Sequence, residues 1–399
     1  MTVVLSGARV VLPDRVLDGA SIVVDDAGNI AEIAGLAIPR GNGAEWHDVS
    51  GHIVVPGFID VHVHGVDGTD TLATADAVRT LAAALPRYGV TGFCPTTIAC
   101  APASLRRLLD DIHVAREAPV AGHAAVLPAH LESNFISLEY RGAQPAACLR
   151  LPTTERLDGF SGEAAFSGQD ILDEIARARA QVGIVTMAPE IPGGLDLVAA
   201  LTAAGHIVSV GHSAATYEQG LAGIDAGARH ATHLFNRMPP FAHRAPGLIG
   251  AVLDSPSVRA EIVCDGYHVH AVVAKTVIAA LGVDRTMAIT DGTAGSGLPV
   301  GSVVRLGSHS ITVRPEAAFL PDGTLSGSIL TMDGAFRRLI QQWGLSLVAA
   351  ARLCATTPAT QLGLDDRGRI APGQRADLAV LDHDLRPVRT FVAGIASEG

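Results

Sequence analysis

The chain reads as an α/β protein, a (β/α)8 TIM barrel with a small β-sandwich domain built from both chain termini. Three observations predict this. Eight short apolar runs recur, each closed by a polar or glycine tip and most followed by a helical stretch. Both ends of the chain are β-rich, yet neither holds enough strands to close a sheet alone. Histidines and carboxylates gather at the far ends of the eight runs, where barrels of this kind keep their chemistry.

The opening segment, residues 1–53, contains VVLSGARVVL and SIVVDDAGNIAEIAG, two strand-like stretches with DDAGN supplying turn residues. The closing segment, 369–399, reads the same way, and pairing the two ends buries both. Residues 54–368 are expected to form the barrel, with runs at 54–65, 89–97, 124–133, 184–190, 206–213, 229–236, 259–269 and 285–292. DAVRTLAAALPRYG and GQDILDEIARARAQVG between them repeat at 3.6 residues. Alternating strands and helices mean parallel β/α units, and eight of them mean closure. Residues 294–330 exceed a normal connection and are expected to form a hairpin of their own before the last helices.

At 399 residues and 48% hydrophobic, the chain can bury a large core, and with 17% charged residues it does not read as disordered. A net charge of -11 without basic runs argues against nucleic acid or anionic membrane as partner. No apolar run is long enough for a span, and no basic leader precedes an apolar core at the N-terminus. Cys94, Cys100, Cys148, Cys264 and Cys354 are odd in number and unpatterned, which suits reduced thiols in a cytoplasm.

The first run ends with His62 and His64, two residues apart and so on one side of a strand. The third ends with His130 and Glu132, the fifth with His212, the sixth with His233, the seventh with His268 and the eighth with Asp291. A single histidine at a strand end is ordinarily a hydrogen-bonded scaffold residue; six such endings in eight strands are not. Imidazole and carboxylate are the ligands of Zn²⁺ and similar borderline cations. Such a cation acidifies water, and Asp291, the lone acid at the eighth end, can carry the proton to a leaving amine. That chemistry is metal-assisted hydrolysis of a C–N or C–O bond. His130 reads as a residue that could orient Glu132, and Glu190 as a supporting carboxylate. His123, His206 and His230 begin their runs and read as structural, while His270 starts a helix.

These motifs together resemble the amidohydrolase superfamily and, within it, the N-acetylglucosamine-6-phosphate deacetylases. The segments that carry the likeness are PGFIDVHVHG, HLES, VGHSAATY, THLFNRM, HRAPGLIGAV, DGYHVH, ITDGT, GTLSGSILTMD and GRIAPGQRADLAVLD, which span nearly the whole chain. The resemblance implies a tight metal site of Glu132, His212 and His233, a second at His62 and His64, and Asp291 as acid/base. It implies one or two divalent cations per subunit, Zn²⁺ foremost, and a phosphorylated amino sugar as substrate. Asn236 and the loop at Arg237 are implied to bind it, with Arg244, from this or a neighbouring subunit, meeting the phosphate and His268 the sugar. A homodimer is the implied assembly.

The lysine count sharpens this. Related subclasses bridge two metals with a carbamylated lysine at the end of strand four, and the only lysine here, Lys275, lies elsewhere. The bridge then falls to Glu132. There are three departures from the family pattern: Ser133–Asn134 replace Gly-Pro, Arg237 replaces Ala, and Gln144 stands where some one-metal members polarise the carbonyl with histidine. With His62 and His64 both present, a two-metal site is expected. The predicted reaction is deacetylation of N-acetylglucosamine 6-phosphate to glucosamine 6-phosphate and acetate, with His268 or Gln144 assisting at the carbonyl oxygen. The alternatives are N-acetylgalactosamine 6-phosphate or another N-acyl amino sugar or amino acid.

Overall fold

The computed structural model describes residues 2–41, 43–155 and 165–397. Eight parallel strands make the barrel: Phe58–Val63, Val90–Thr97, Ala129–Glu132, Val182–Met187, Ile207–Val210, His230–Ala231, Arg259–Val263 and Thr286–Ile289. Each pairs with the next in chain order, and a parallel bridge between Val63 and Gly292 closes the ring. These are the eight runs expected from the sequence. A helix follows every strand, from Ala77–Ala84 after the first to Met332–Gln341 after the eighth.

Strand residues sort by parity. Phe58, Phe93, Val185, Val208 and Ile262 turn outward onto the helices and join Leu81, Leu108, Ile171, Val198 and Phe336 in the main core. The alternate set, including Ile59, Cys94, Ile184, Val263, Met287 and Ile289, forms a second apolar cluster, with Ala359 against it. The interior also holds polar side chains, with His130, Thr186, Ser209, His230, Thr232 and Glu261 all buried. The mouth above them holds the candidate site.

The two chain ends share one sheet of eight strands, in which Leu378–Leu381 pairs with Ile53–Pro56, which in turn pairs with Val3–Val11. Val3–Val11 is irregular around Gly7, which takes a left-handed φ of 87°. The first half of that strand pairs with Glu45–Asp48 and the second with Ile53–Pro56, so the sheet bends there. Leu5, Ile22, Ile30, Val54, Leu378 and Phe391, drawn from both ends, then meet in a separate core.

The long segment after strand eight folds as three antiparallel strands, Val303–Leu306, His309–Val313 and Ala318–Phe319, one more than a hairpin. Its return limb runs back over the barrel mouth. Ser328 N–H donates to Asp291 O at 2.8 Å, and Ser328 Oγ donates to Thr290 O at 2.5 Å. Gly327, at φ 93°, makes this approach feasible, because a Cβ there would lie 3.0 Å from Asp291 O.

Candidate metal centre and active site

Glu132 ends the third strand at the middle of the mouth. Its Oε1 lies 2.8 Å from both His212 Nε2 and His233 Nε2, and those two nitrogens are 3.2 Å apart. On its other side are His62 Nε2, 3.8 Å from Oε1, and His64 Nε2, 3.7 Å from Oε2. Asp291 Oδ1 faces that second pair at 3.4 and 3.3 Å. All six side chains are almost fully buried. The barrel thus joins the ends of strands one, three, five, six and eight around one carboxylate.

The backbone is bent to achieve this. His212, His233 and Asp291 take φ of 47°, 26° and 47°, a region that L-residues seldom occupy. Phe235 and Arg237 do the same in the loop after His233. Such strain collects where side-chain direction matters more than local stability. The first strand instead shifts register between Asp60 and Val63, an irregularity that re-aims side chains at a barrel rim.

The imidazole nitrogens facing away from the centre decide what fits inside it. His212 Nδ1 lies 2.9 Å from Tyr140 O and must carry the proton. His62 Nδ1 lies 2.9 Å from Glu261 Oε2 and must do likewise. Their Nε2 atoms then point lone pairs at a carboxylate and at another imidazole. That arrangement is repulsive unless a cation stands between, and four nitrogens with one bridging carboxylate suit two divalent cations of the Zn²⁺ type. Without them, protons take the place. Burial opposes charge on His62, but Glu261, Asp291 and Glu132 outweigh it and push its pKa up to about 10. Burial likewise works against the Glu132 and Asp291 carboxylates, and the surrounding histidines overcome it, holding both below their usual range.

The other predicted residues separate into two sets. Gln144, Asn236 and Arg237 line the cleft together with Ser326 and Gly327. Gln144 Oε1 accepts from Ala99 N–H at 2.7 Å while its Nε2 donates to Glu132, so its amide is turned toward the bridging carboxylate. Arg237 Nη2 donates to Leu325 O at 3.1 Å, and its guanidinium fills space left by the missing side chain of Gly142. His268 donates from Nδ1 to Asp265 Oδ2 at 2.6 Å, leaving its buried Nε2 without a hydrogen-bond partner among the described residues. Burial lowers its pKa, but the Asp265 bond and the charges of Asp265 and Asp291 outweigh that and raise it.

Arg244 stands apart. It is exposed on the loop before Gly247–Asp254, has no polar partner among the described residues, and does not line the cleft. His130 does not reach Glu132 through a hydrogen bond; it bonds to Val61 O and Thr186 Oγ1, at 2.9 and 2.7 Å. Glu190 accepts from Ser213 Oγ and Ala214 N–H at 2.7 and 2.6 Å, bracing the turn after His212. Ser133 donates to Thr186 O and Asn134 to the carbonyls of Cys100 and Cys148, so that departure from the family pattern serves loop packing. Glu261 is the residue that sequence reasoning missed. Its signal was an acid in the middle of an apolar strand, RAEIV.

Residues 53–396 match the amidohydrolase family. The chain belongs to that family. Among curated relatives of this amidohydrolase is the N-acetylglucosamine-6-phosphate deacetylase of Lysinibacillus sphaericus, 33% identical over 92% of this chain and 90% of that one. The human enzyme of the same name is 34% identical over 98% of this chain and 96% of its own length. Among solved structures, a variant of the Mycobacterium smegmatis N-acetyl-D-glucosamine-6-phosphate deacetylase, in complex with N-acetyl-D-glucosamine-6-phosphate, superposes with a TM-score of 0.88. That match has 30% identity and covers 100% of both chains.

Proposed function

We propose that this amidohydrolase removes the acetyl group from N-acetylglucosamine 6-phosphate, releasing acetate and glucosamine 6-phosphate. The observation that carries the reading is the placement of Asp291 against the His62–His64 pair, across a carboxylate shared with His212 and His233. The full-length relatives of that name support the substrate.

Glu132, His212 and His233 would hold one cation, and His62 and His64 a second; Zn²⁺ is the first choice. Bound there, a divalent cation supplies Lewis acidity that acidifies water and polarises a carbonyl. Asp291, kept ionised at neutral pH, accepts the proton of the attacking water and passes it to the departing nitrogen. His268, held by Asp265 and protonated more readily than a free histidine, in that form offers its Nε2–H to the carbonyl oxygen or a sugar hydroxyl. Gln144 orients Glu132, which leaves His268 as the better of the two donors considered for the oxygen. Asn236 and Arg237 meet the sugar phosphate, where a guanidinium fork pairs well with phosphate oxygens. Arg244 reaches phosphate only in a partner subunit of a homodimer, and the enzyme works in the cytoplasm. Among the described residues no helix is long and apolar enough to cross a membrane.

Proton NMR of the zinc-loaded enzyme with N-acetylglucosamine 6-phosphate tests this. Free acetate should appear in step with loss of the acetamide methyl signal. An unchanged acetamide signal would overturn the assignment.

A further inference from the structure

We propose that Glu261 is a positioning residue: it fixes the tautomer and angle of His62 and links that half of the site to the His233 half. The proposal rests on the reading above that His62 and His64 hold a cation.

Glu261 lies in the seventh strand with no exposed surface. Val263, two residues on in the same strand, and Met287, its register partner on the eighth strand, are apolar side chains of the kind that ordinarily fill a barrel interior. A charge placed among them is costly unless every lone pair is used. Here they are used. Oε2 accepts from His62 Nδ1 at 2.9 Å and from the His233 backbone N–H at 3.0 Å. Oε1 accepts from His230 Nε2 at 2.9 Å, and His230 is steadied by Gln361, 3.3 Å from its Nδ1. Gln361 in turn accepts from Arg259 at 3.1 Å.

Two of these contacts reach different halves of the candidate centre. The bond to His62 Nδ1 leaves its Nε2 bare and aimed at His64 and Asp291. The bond to the His233 N–H pins the backbone exactly where φ is 26°, so one carboxylate sets a ligand ring on strand one and a strained ligand backbone on strand six. An acid behind a ligating histidine raises the basicity of the ring and holds its orientation, and loss of such a partner costs about 10–100-fold in metal affinity. His230, which begins its strand, thereby belongs to the support of the site.

The test is a Zn²⁺ titration of metal-free wild-type protein and of Glu261→Gln against a competing chromophoric chelator. Gln keeps the volume and an acceptor toward His62 and His233 but removes the charge. Wild type should bind two Zn²⁺ per chain, and the variant should keep the first while its second site weakens about 10–100-fold. Equal second-site affinity in both proteins would overturn the role of Glu261. A single Zn²⁺ in wild type would instead overturn the two-cation reading, and this proposal with it. Imidazole ¹⁵N NMR of wild type gives a readout independent of the variant's folding, with the His62 signals assigned by their loss in His62→Gln. A proton on Nδ1 is expected; a proton on Nε2 in the zinc-loaded protein would refute the proposal.

Discussion

As the proposed proton carrier, Asp291 faces two demands that pull apart in most environments. It must remain ionised although it is buried, and it must still exchange a proton with substrate. His62 and His64, at 3.4 and 3.3 Å, satisfy the first by opposing its charge to theirs or to a cation they hold. Asp291→Asn keeps the shape and loses the base, so kcat should fall by about 10²–10⁴-fold. Metal content, measured by mass spectrometry, should stay at the wild-type value; a kcat within a few-fold of wild type would exclude Asp291 as the proton carrier. Arg237 poses a different question, because among the described residues only one of its guanidinium donors is engaged, by Leu325 O. If the guanidinium binds phosphate, Arg237→Met should raise KM for the phosphorylated sugar roughly 10–100-fold, the worth of a charge-assisted bond. The same change should leave the inhibition constant of the unphosphorylated sugar, measured against the phosphorylated substrate, alone.

Among the elements, the barrel strands were the most legible part of the sequence. Each apolar run is short, bounded by glycine or polar tips, and alternates with helical periodicity, and the parallel closure follows from that alternation. Because the fold sends strand ends to one rim, His62, His64, Glu132, His212, His233 and Asp291 could be grouped before any coordinates. Glu261 and His230 could not, since their importance comes from strand stagger inside the barrel, which no spacing along the chain reveals. Gln144 was legible as a departure, but its turn toward Glu132 depends on Ala99, in a loop 45 residues away. The sheet at Val303–Phe319 was read one strand short because Ala318–Phe319 is only two residues long. That insertion reaches the chemistry through Gly327. Gly327→Ala would place a Cβ 2.8 Å from Thr293 Cγ2 in a left-handed backbone, displacing Asp291. The expected cost is about 1–3 kcal/mol in urea unfolding, with kcat falling more steeply than metal content.

For the molecule as a whole, the two chain ends and the barrel form cores that are separate but joined where Ile53–Pro56 runs into the first barrel strand. Stability then depends on the charge state of groups far from the site as well. His206, immediately before the fifth strand, donates from Nδ1 to Val182 O at 2.9 Å, and burial lowers its pKa, so the folded ring takes up a proton less readily than the unfolded one. The unfolded chain takes up that proton as pH falls through about 6.5. Folding therefore loses stability below that pH, and none of this loss appears above it. His206→Gln should show a smaller drop in Tm between pH 7 and pH 5 than wild type; an equal drop would place the acid sensitivity elsewhere.

The substrate is decided by kcat/KM of the zinc-loaded enzyme for four compounds, N-acetylglucosamine and N-acetylgalactosamine, each with and without the 6-phosphate. Turnover should require the phosphate and favour the glucosamine epimer. Turnover indifferent to phosphate, or absent from all four, would contradict the account and point to a different N-acyl substrate at the same centre.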